Sequence, residues 1–229
     1  AFLWYQRASS QGQPYAAYSI AQMYRYGEYV TKDNDTAQRY YKQALSGFLK
    51  IESDDMANDN LFYKLGQMFK LGLGTDSDVT KAIEYFRRSA EMNNKNGLFE
   101  YGKALLTGEH IPQDTDSAVK LLEKAVKLKN SNAKRFLALE YISGEHLEQD
   151  FEKGIALLTE CADSGDVIAS YRLGKIYLQG EIMPQNLDKA EKYLLLAEDS
   201  EYTQYALAKL YLQEEKYDIQ KAVDYFENG

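Results

Sequence analysis

Two histidines, one cysteine, two closely spaced glycines and adjacent acids such as Asp54–Asp55 and Glu214–Glu215 are the residues in this chain with types suited to chemistry. His110 and His146 each stand two residues after a glycine, Gly108 and Gly144. A histidine that binds metal or moves a proton needs Cys, Asp or Glu partners at ligand spacing, and only loop acids stand near these two. They read as equivalent loop residues. Cys161 is the only cysteine, so it can form neither an internal disulfide nor a cysteine-based metal site. A nucleophilic thiolate needs a base and exposure, whereas Cys161 falls at a position that neighbouring segments fill with Ala or Ser. The run Gly72-Leu73-Gly74-Thr75 lacks the third glycine, the lysine and the preceding strand of a phosphate loop. Asp54–Asp55 and Glu214–Glu215 fall on expected surface, with no pocket for paired-carboxylate catalysis. No catalytic residue, metal or cofactor is expected, and the chain is read as no enzyme.

Composition narrows the classes further. Of 229 residues, 45% are hydrophobic and 27% charged, an ordinary globular balance. The net charge of −8 argues against nucleic acid as a partner of this segment, because phosphates call for clustered cations. No apolar run approaches the roughly 20 residues that span a bilayer, so no membrane insertion is expected. The single cysteine suits a reducing compartment, and a cytoplasmic location is the expectation.

The glycines point to the elements around them. "LGQMFKLG" from Leu65, "YGKALLTG" from Tyr101, "LALEYISG" from Leu137 and "LGKIYLQG" from Leu173 close on Gly72, Gly108, Gly144 and Gly180, a period of 36 residues. "IAQMYRYG" closes on Gly27 and "LAKLYLQE" on Glu214. Ten residues after each glycine stands a small anchor: Ala37, Ala82, Ala118, Gly154 and Ala190. Three and four residues further come Tyr40–Tyr41, Tyr85–Phe86, Leu121–Leu122, Leu157–Leu158 and Tyr193–Leu194. Seven after the anchor come Ala44, Ser89, Ala125, Cys161 and Ala197. Such spacing is one face of an α-helix. Each unit is therefore predicted to hold two antiparallel helices. Helix A ends on a glycine able to take a left-handed cap, and a polar loop with Asp, Asn or Thr starts helix B. One small residue recurs in helix A: Ala21, Gly66, Gly102, Ala138, Gly174 and Ala208. A packing role must outweigh the ~1 kcal/mol that an interior glycine costs. Period-two alternation is absent, so no strand is expected.

These columns, A-x-x-x-L-G-x-x-Y-x-x-G, then ten residues, then A-x-x-Y-Y-x-x-A, resemble the Sel-one-like repeat, a relative of the tetratricopeptide repeat. The match is clearest in "ASYRLGKIYLQGEIMPQNLDKAEKYLLLA". The resemblance implies an all-α fold, a right-handed α-α superhelical solenoid of about six helix-turn-helix repeats. Residues 1–229 then form a single repeat domain: a half repeat 1–14, then repeats 15–60, 61–96, 97–132, 133–167, 168–200 and 201–229. Ala1, Trp4–Tyr5 and Ala8 fit helix B only, and Ala222, Tyr225–Phe226 and Gly229 close the last helix B, so the chain reads as an excised part of a longer protein. Two irregularities are expected. Ser46–Asn60 lengthens one helix B and adds an acidic turn, and Glu214 replaces a capping glycine ahead of a tighter loop. A narrower likeness joins "AQRYYKQALSGFLKIE" and "DNLFYKLGQMFKLGLGT" to the repeat tail of some conjugative relaxases of Gram-positive bacteria. None of their nicking-domain histidines or their catalytic tyrosine has a match, so no activity carries over.

In tetratricopeptide-like solenoids helix A lines the concave face, which implies three columns facing a groove. They are Tyr18, Tyr63, Phe99, Arg135, Tyr171 and Tyr205; Gln22, Gln67, Lys103, Leu139, Lys175 and Lys209; and Arg25, Lys70, Leu106, Ile142, Leu178 and Leu212. The partner-binding candidates are Tyr18, Gln22, Tyr63, Gln67, Phe99, Lys103, Tyr171, Lys175, Tyr205 and Lys209. Aromatics beside amides, ammonium groups and aliphatics suit an extended peptide or a docked helix. The expected function is a protein–protein interaction scaffold with a protein or peptide partner. The alternatives are a structural spacer with weak self-association, or the accessory tail of a conjugative DNA-processing relaxase.

Overall fold

The computed structural model describes residues 1–227, and the column residue Gly229 lies outside them. The described residues form thirteen α-helices and one 3-10 turn, with no strand. The A helices are α2 (Pro14–Tyr26), α4 (Asp59–Leu71), α6 (Lys95–Thr107), α8 (Ser131–Ser143), α10 (Val167–Gln179) and α12 (Glu201–Tyr211). The B helices are α1 (Phe2–Ser10), α3 (Asn34–Ser53), α5 (Val79–Glu91), α7 (Thr115–Lys127), α9 (Phe151–Asp163), α11 (Leu187–Leu195) and α13 (Ile219–Glu227). The result is a series of α-α hairpins of the solenoid class.

Each hairpin is closed by the same local chemistry. Gly27, Gly72, Gly108, Gly144 and Gly180 adopt φ between +63° and +76°, the left-handed region where a side chain would be strained. Their N–H groups return to the carbonyls of Met23, Met68, Ala104, Glu140 and Ile176. The loop then folds back. The N–H groups of Asp33, Asp78, Asp114, Asp150, Asn186 and Asp218 donate at 2.9–3.0 Å to Tyr24, Phe69, Leu105, Tyr141, Tyr177 and Tyr211 of the preceding A helix. The same six side chains accept from the first turn of the B helix, for example Lys81 N–H at Asp78 and Lys221 N–H at Asp218. One residue thus ends a loop, ties it to helix A and caps helix B.

The small column is a point of close approach. A Cβ on Gly66 would lie 2.5 Å from the Phe86 ring, and one on Gly174 would lie 2.7 Å from Leu194. Ala21, Ala138 and Ala208 are fully buried at the equivalent place. The second member of each bulky pair fills the hairpin: Tyr41, Phe86, Leu122, Leu158 and Leu194 are all at most 2% exposed. Large and small residues therefore interlock at one level of every hairpin, as close-packed interiors require.

The chain forms two compact units, the first Ala1–Leu128 and the second from Lys129 onward. In the first, a core runs through α2–α5 and includes Tyr18, Tyr41, Phe48, Leu65 and Phe86. In the second, a core runs from α8 to α13 around Leu158, Leu173, Leu194 and Leu207. Helix α3 is 20 residues long where most others have 13, and Asp55 turns at φ 56° just beyond it. The additional turn brings Glu52 to the next hairpin, where it accepts from the Tyr85 hydroxyl at 2.7 Å and pairs with Arg88. Helix α12 ends without glycine, on Leu212 in a right-handed conformation, and the 3-10 turn Glu214–Lys216 follows.

Candidate functional site

The residues suited to chemistry are scattered. Cys161 is 1% exposed in the core of the second unit, and burial pushes its thiol up from the ordinary range. His110 is exposed, with φ 66°. His146 lies 2.9 Å through Nδ1 from Oε2 of Glu140, a buried carboxylate of α8. That helix acid was missed by a search limited to loop neighbours. The column it occupies holds Met23, Met68, Ile176 and Leu210 in other hairpins, so a polar exception was its only signal. Among the described residues no three His, Cys, Asp or Glu side chains gather at metal-binding distance. No helix there is long and apolar enough to cross a membrane.

In the first unit, α4 and α6 bring part of the candidate set together. The Tyr63 hydroxyl accepts from Gln67 Nε2 at 2.9 Å, and its ring packs 5.9 Å from Phe86. Burial, with Glu100 nearby, pushes this phenol up from its ordinary value. Lys70 bridges to Glu100 of α6 at 2.7 Å. Lys70, Glu100, Lys103 and His110 surround a cavity of about 160 Å³ with Phe86 and Ile83 among its walls. Phe99, Gln67 and Lys103 are half-buried, and Gln22 is exposed on α2. Tyr18 belongs to the core instead. It is 7% exposed, packs edge-on to Tyr41 at 5.4 Å and has Lys64 Nζ 3.9 Å over its ring. Burial pushes its phenol up to about 12. Leu106 of the third column is fully buried, so that column feeds the core there.

In the second unit, α10 and α12 carry the other four candidates. Tyr171 is half-buried and lies 6.5 Å from Tyr202, a residue that the column reading omitted. Tyr205 is 54% exposed, sits edge-on to Phe226 at 5.8 Å and lies under Lys209 Nζ at 4.4 Å. Lys175 follows Tyr171 by one helical turn. Tyr202 is 75% exposed, and Val167, Ile168 and Phe226 are each near half exposed. The group is an open aromatic and aliphatic surface edged by cations. Arg135, in the same column as Tyr171, turns instead to Asp166, the N-cap of α10.

A Sel1 repeat model matches residues 1–13, 14–47, 63–94, 96–130, 131–166, 167–202 and 201–228. The chain belongs to the Sel1 repeat family. Sel1 repeats are a non-catalytic scaffold fold, and Sel1 repeat proteins generally serve protein interaction. Among solved structures, a Sel1 repeat protein from Oxalobacter formigenes is 22% identical, with 99% of this chain and 98% of that one covered and a TM-score of 0.72. The protective antigen c5321 of uropathogenic Escherichia coli is 23% identical with a TM-score of 0.69; 98% of this chain matches 47% of that one, about half its length. The immunity protein Pa5087 of Pseudomonas aeruginosa is 18% identical over 94% of this chain and 80% of its own, with a TM-score of 0.57. At such identities the likeness is one of fold. No curated protein matches the chain, and nothing in these matches supports the narrower likeness to relaxase tails.

The Sel1 repeats share a further device that links helix A to helix B. The aromatic three residues before the capping position stacks on the first of the bulky pair. Tyr24 on Tyr40, Phe69 on Tyr85, Tyr177 on Tyr193 and Tyr211 on Tyr225 lie 5.5–6.2 Å apart with planes within 11°. In three of these Sel1 repeats a lysine covers the outer ring: Lys81 over Phe69, Lys189 over Tyr177 and Lys221 over Tyr211, at 4.2–5.0 Å. Each of these lysines also donates its backbone N–H to the N-cap side chain. Many of the 20 tyrosines therefore hold Sel1 hairpins shut and are not available to a partner.

Proposed function

We propose that this chain is a protein-interaction scaffold that holds a partner segment on its A helices, with the α10–α12 face of the second unit as the main docking surface. The single observation that carries this reading is the exposure of Tyr202 and Tyr205 beside Tyr171, at 75% and 54%, in a chain that buries or stacks most of its other tyrosines. Large aromatic side chains left open to water, with a hydroxyl at the tip, are the usual anchors of interfaces. In the first unit Tyr63, Gln67, Phe99 and Lys103 offer a smaller and more buried counterpart, and Gln22 a polar edge.

A flexible segment loses entropy on docking, so affinity is expected to be micromolar, on the order of −8 kcal/mol. Peptides selected from a displayed library should crosslink to a photoreactive residue placed at Tyr202. Tyr171→Ala and Tyr205→Ala should each cost about 1–3 kcal/mol of binding by calorimetry. Selected peptides that crosslink elsewhere, with affinity unchanged in both variants, would move the site off this face.

A further inference from the structure

Charge in this chain is sorted by helix type. The A helices of the first unit, α2, α4 and α6, carry five Lys or Arg against two acids. Those of the second unit, α8, α10 and α12, also carry five against two. All the remaining residues carry 17 against 31. The A helices are thus basic within an acidic protein.

In the second unit three of these cations are left without ion pairs, and Glu201, one helical turn before Tyr205, is the one exposed acid on the same helices. Lys134 and Arg135 are neutralised by Glu160 and Asp166, and Glu140 is buried against His146. Outside the A helices, Lys192 pairs with Asp163, Lys216 with Asp188 and Glu191, and Lys221 with Asp218. Arg172, Lys175 and Lys209 take part in no ion pair among the described residues. These three stand beside Val167, Ile168, Tyr171, Tyr202 and Tyr205, the apolar surface already described. Apolar area that can be desolvated, edged by unneutralised cations, is complementary to a segment of opposite composition.

We infer that the occupant of the α10–α12 face is an acidic segment of a partner protein, with aromatic or aliphatic side chains on Tyr171 and Tyr205 and carboxylates against Arg172, Lys175 and Lys209. This inference rests on the reading of that face as a docking surface. A basic segment would be drawn to the acidic remainder of the unit and away from the patch. An extended nucleic acid would meet repulsion as soon as it left the patch, since the second unit holds eleven Lys or Arg against nineteen acids. Like-charge contact rejects wrong partners more effectively than it adds affinity for right ones.

The test is fluorescence anisotropy with three labelled probes: a short peptide of Asp and Glu carrying two tryptophans, the same peptide with Lys at every acid, and a single-stranded DNA of similar length. The acidic peptide should bind roughly tenfold or more tightly than the basic one and weaken as salt is added. Lys175→Glu combined with Lys209→Glu should invert that preference while the circular dichroism melt stays unchanged. Equal binding of both peptides, lost in Tyr205→Ala, overturns the charge assignment and leaves the docking face standing. Binding untouched by Tyr205→Ala and by the charge variants overturns both. Tighter binding of the DNA, or self-association in sedimentation that the acidic peptide does not displace, gives the face a different occupant and overturns the inference.

Discussion

Gly74 and Gly12 share a left-handed backbone and differ in everything around it. A Cβ on Gly74 would lie 2.4 Å from the backbone of Tyr41 and Lys42, whereas one on Gly12 would meet nothing within 4 Å. The Gly74 N–H also donates to Gln38, which returns a bond to the Gly72 carbonyl. Gly12→Ala should therefore cost only the conformational strain, about 1 kcal/mol, in urea denaturation. Gly74→Ala should cost clearly more than about 2 kcal/mol, because the clash is with backbone that cannot rotate away. Equal effects would mean that the loop yields instead of α3. Cys161 poses the opposite case, a residue with reactive chemistry in a packing role. Its thiol is buried and held protonated, so a thiol reagent at neutral pH should react no faster than the chain unfolds. Reaction within the mixing time would show an accessible, activated thiol. Cys161→Ala should lower stability by only about 1 kcal/mol and leave binding intact.

Among elements, the loops that join A to B carry part of the acid dependence. Thr36, through its hydroxyl and its N–H, holds the Asp33 carboxyl below its ordinary range, and Ser117 does the same for Asp114. A carboxylate with a lowered folded value stabilises fully above its unfolded value and loses that contribution as pH falls through the folded one. Asn at both sites keeps the capping oxygen and removes the titration. The double variant should therefore lose less melting temperature than the parent between about pH 5 and pH 2. A parallel decline would place the acid lability elsewhere. The B-to-A turns contain a different strain: Lys129 sits at φ 61°, where Gly165 stands in the next turn. Lys129→Gly should raise stability by about 0.5–1 kcal/mol, read from the denaturation midpoint. Much of this organisation is legible in the sequence, because a spacing of three, four and seven fixes a helical face and a recurring glycine fixes its end. The helix columns, the five capping glycines and the lengthened α3 all follow from that. What the spacing cannot supply is which neighbour covers a face. Tyr18 and Tyr205 share a column of their helices, yet one is buried and the other open. Tyr202 escapes notice, and Phe226 reads only as half of a bulky pair, because they meet Tyr171 and Tyr205 only through the register of one helix on another.

For the molecule as a whole, charge divides the two units. Residues 1–128 hold 16 Lys or Arg and 16 acids, so all of the net −8 lies from residue 129 onward. Added salt screens such self-repulsion, so amides of α8–α13 should gain protection from hydrogen exchange while those of α2–α6 change little. Uniform gain would show that the imbalance has no energetic weight. The closure of every hairpin by its own N-cap has a mechanical consequence. Each loop is latched to the helix that precedes it, so a chain stretched by its ends has no latch that spans several hairpins. It should yield hairpin by hairpin under an optical trap, each rupture releasing about 120 Å of contour for a 36-residue period. The α2–α3 hairpin, whose period is 45 residues and whose Glu52 grips the next B helix, should give the longest step and resist most.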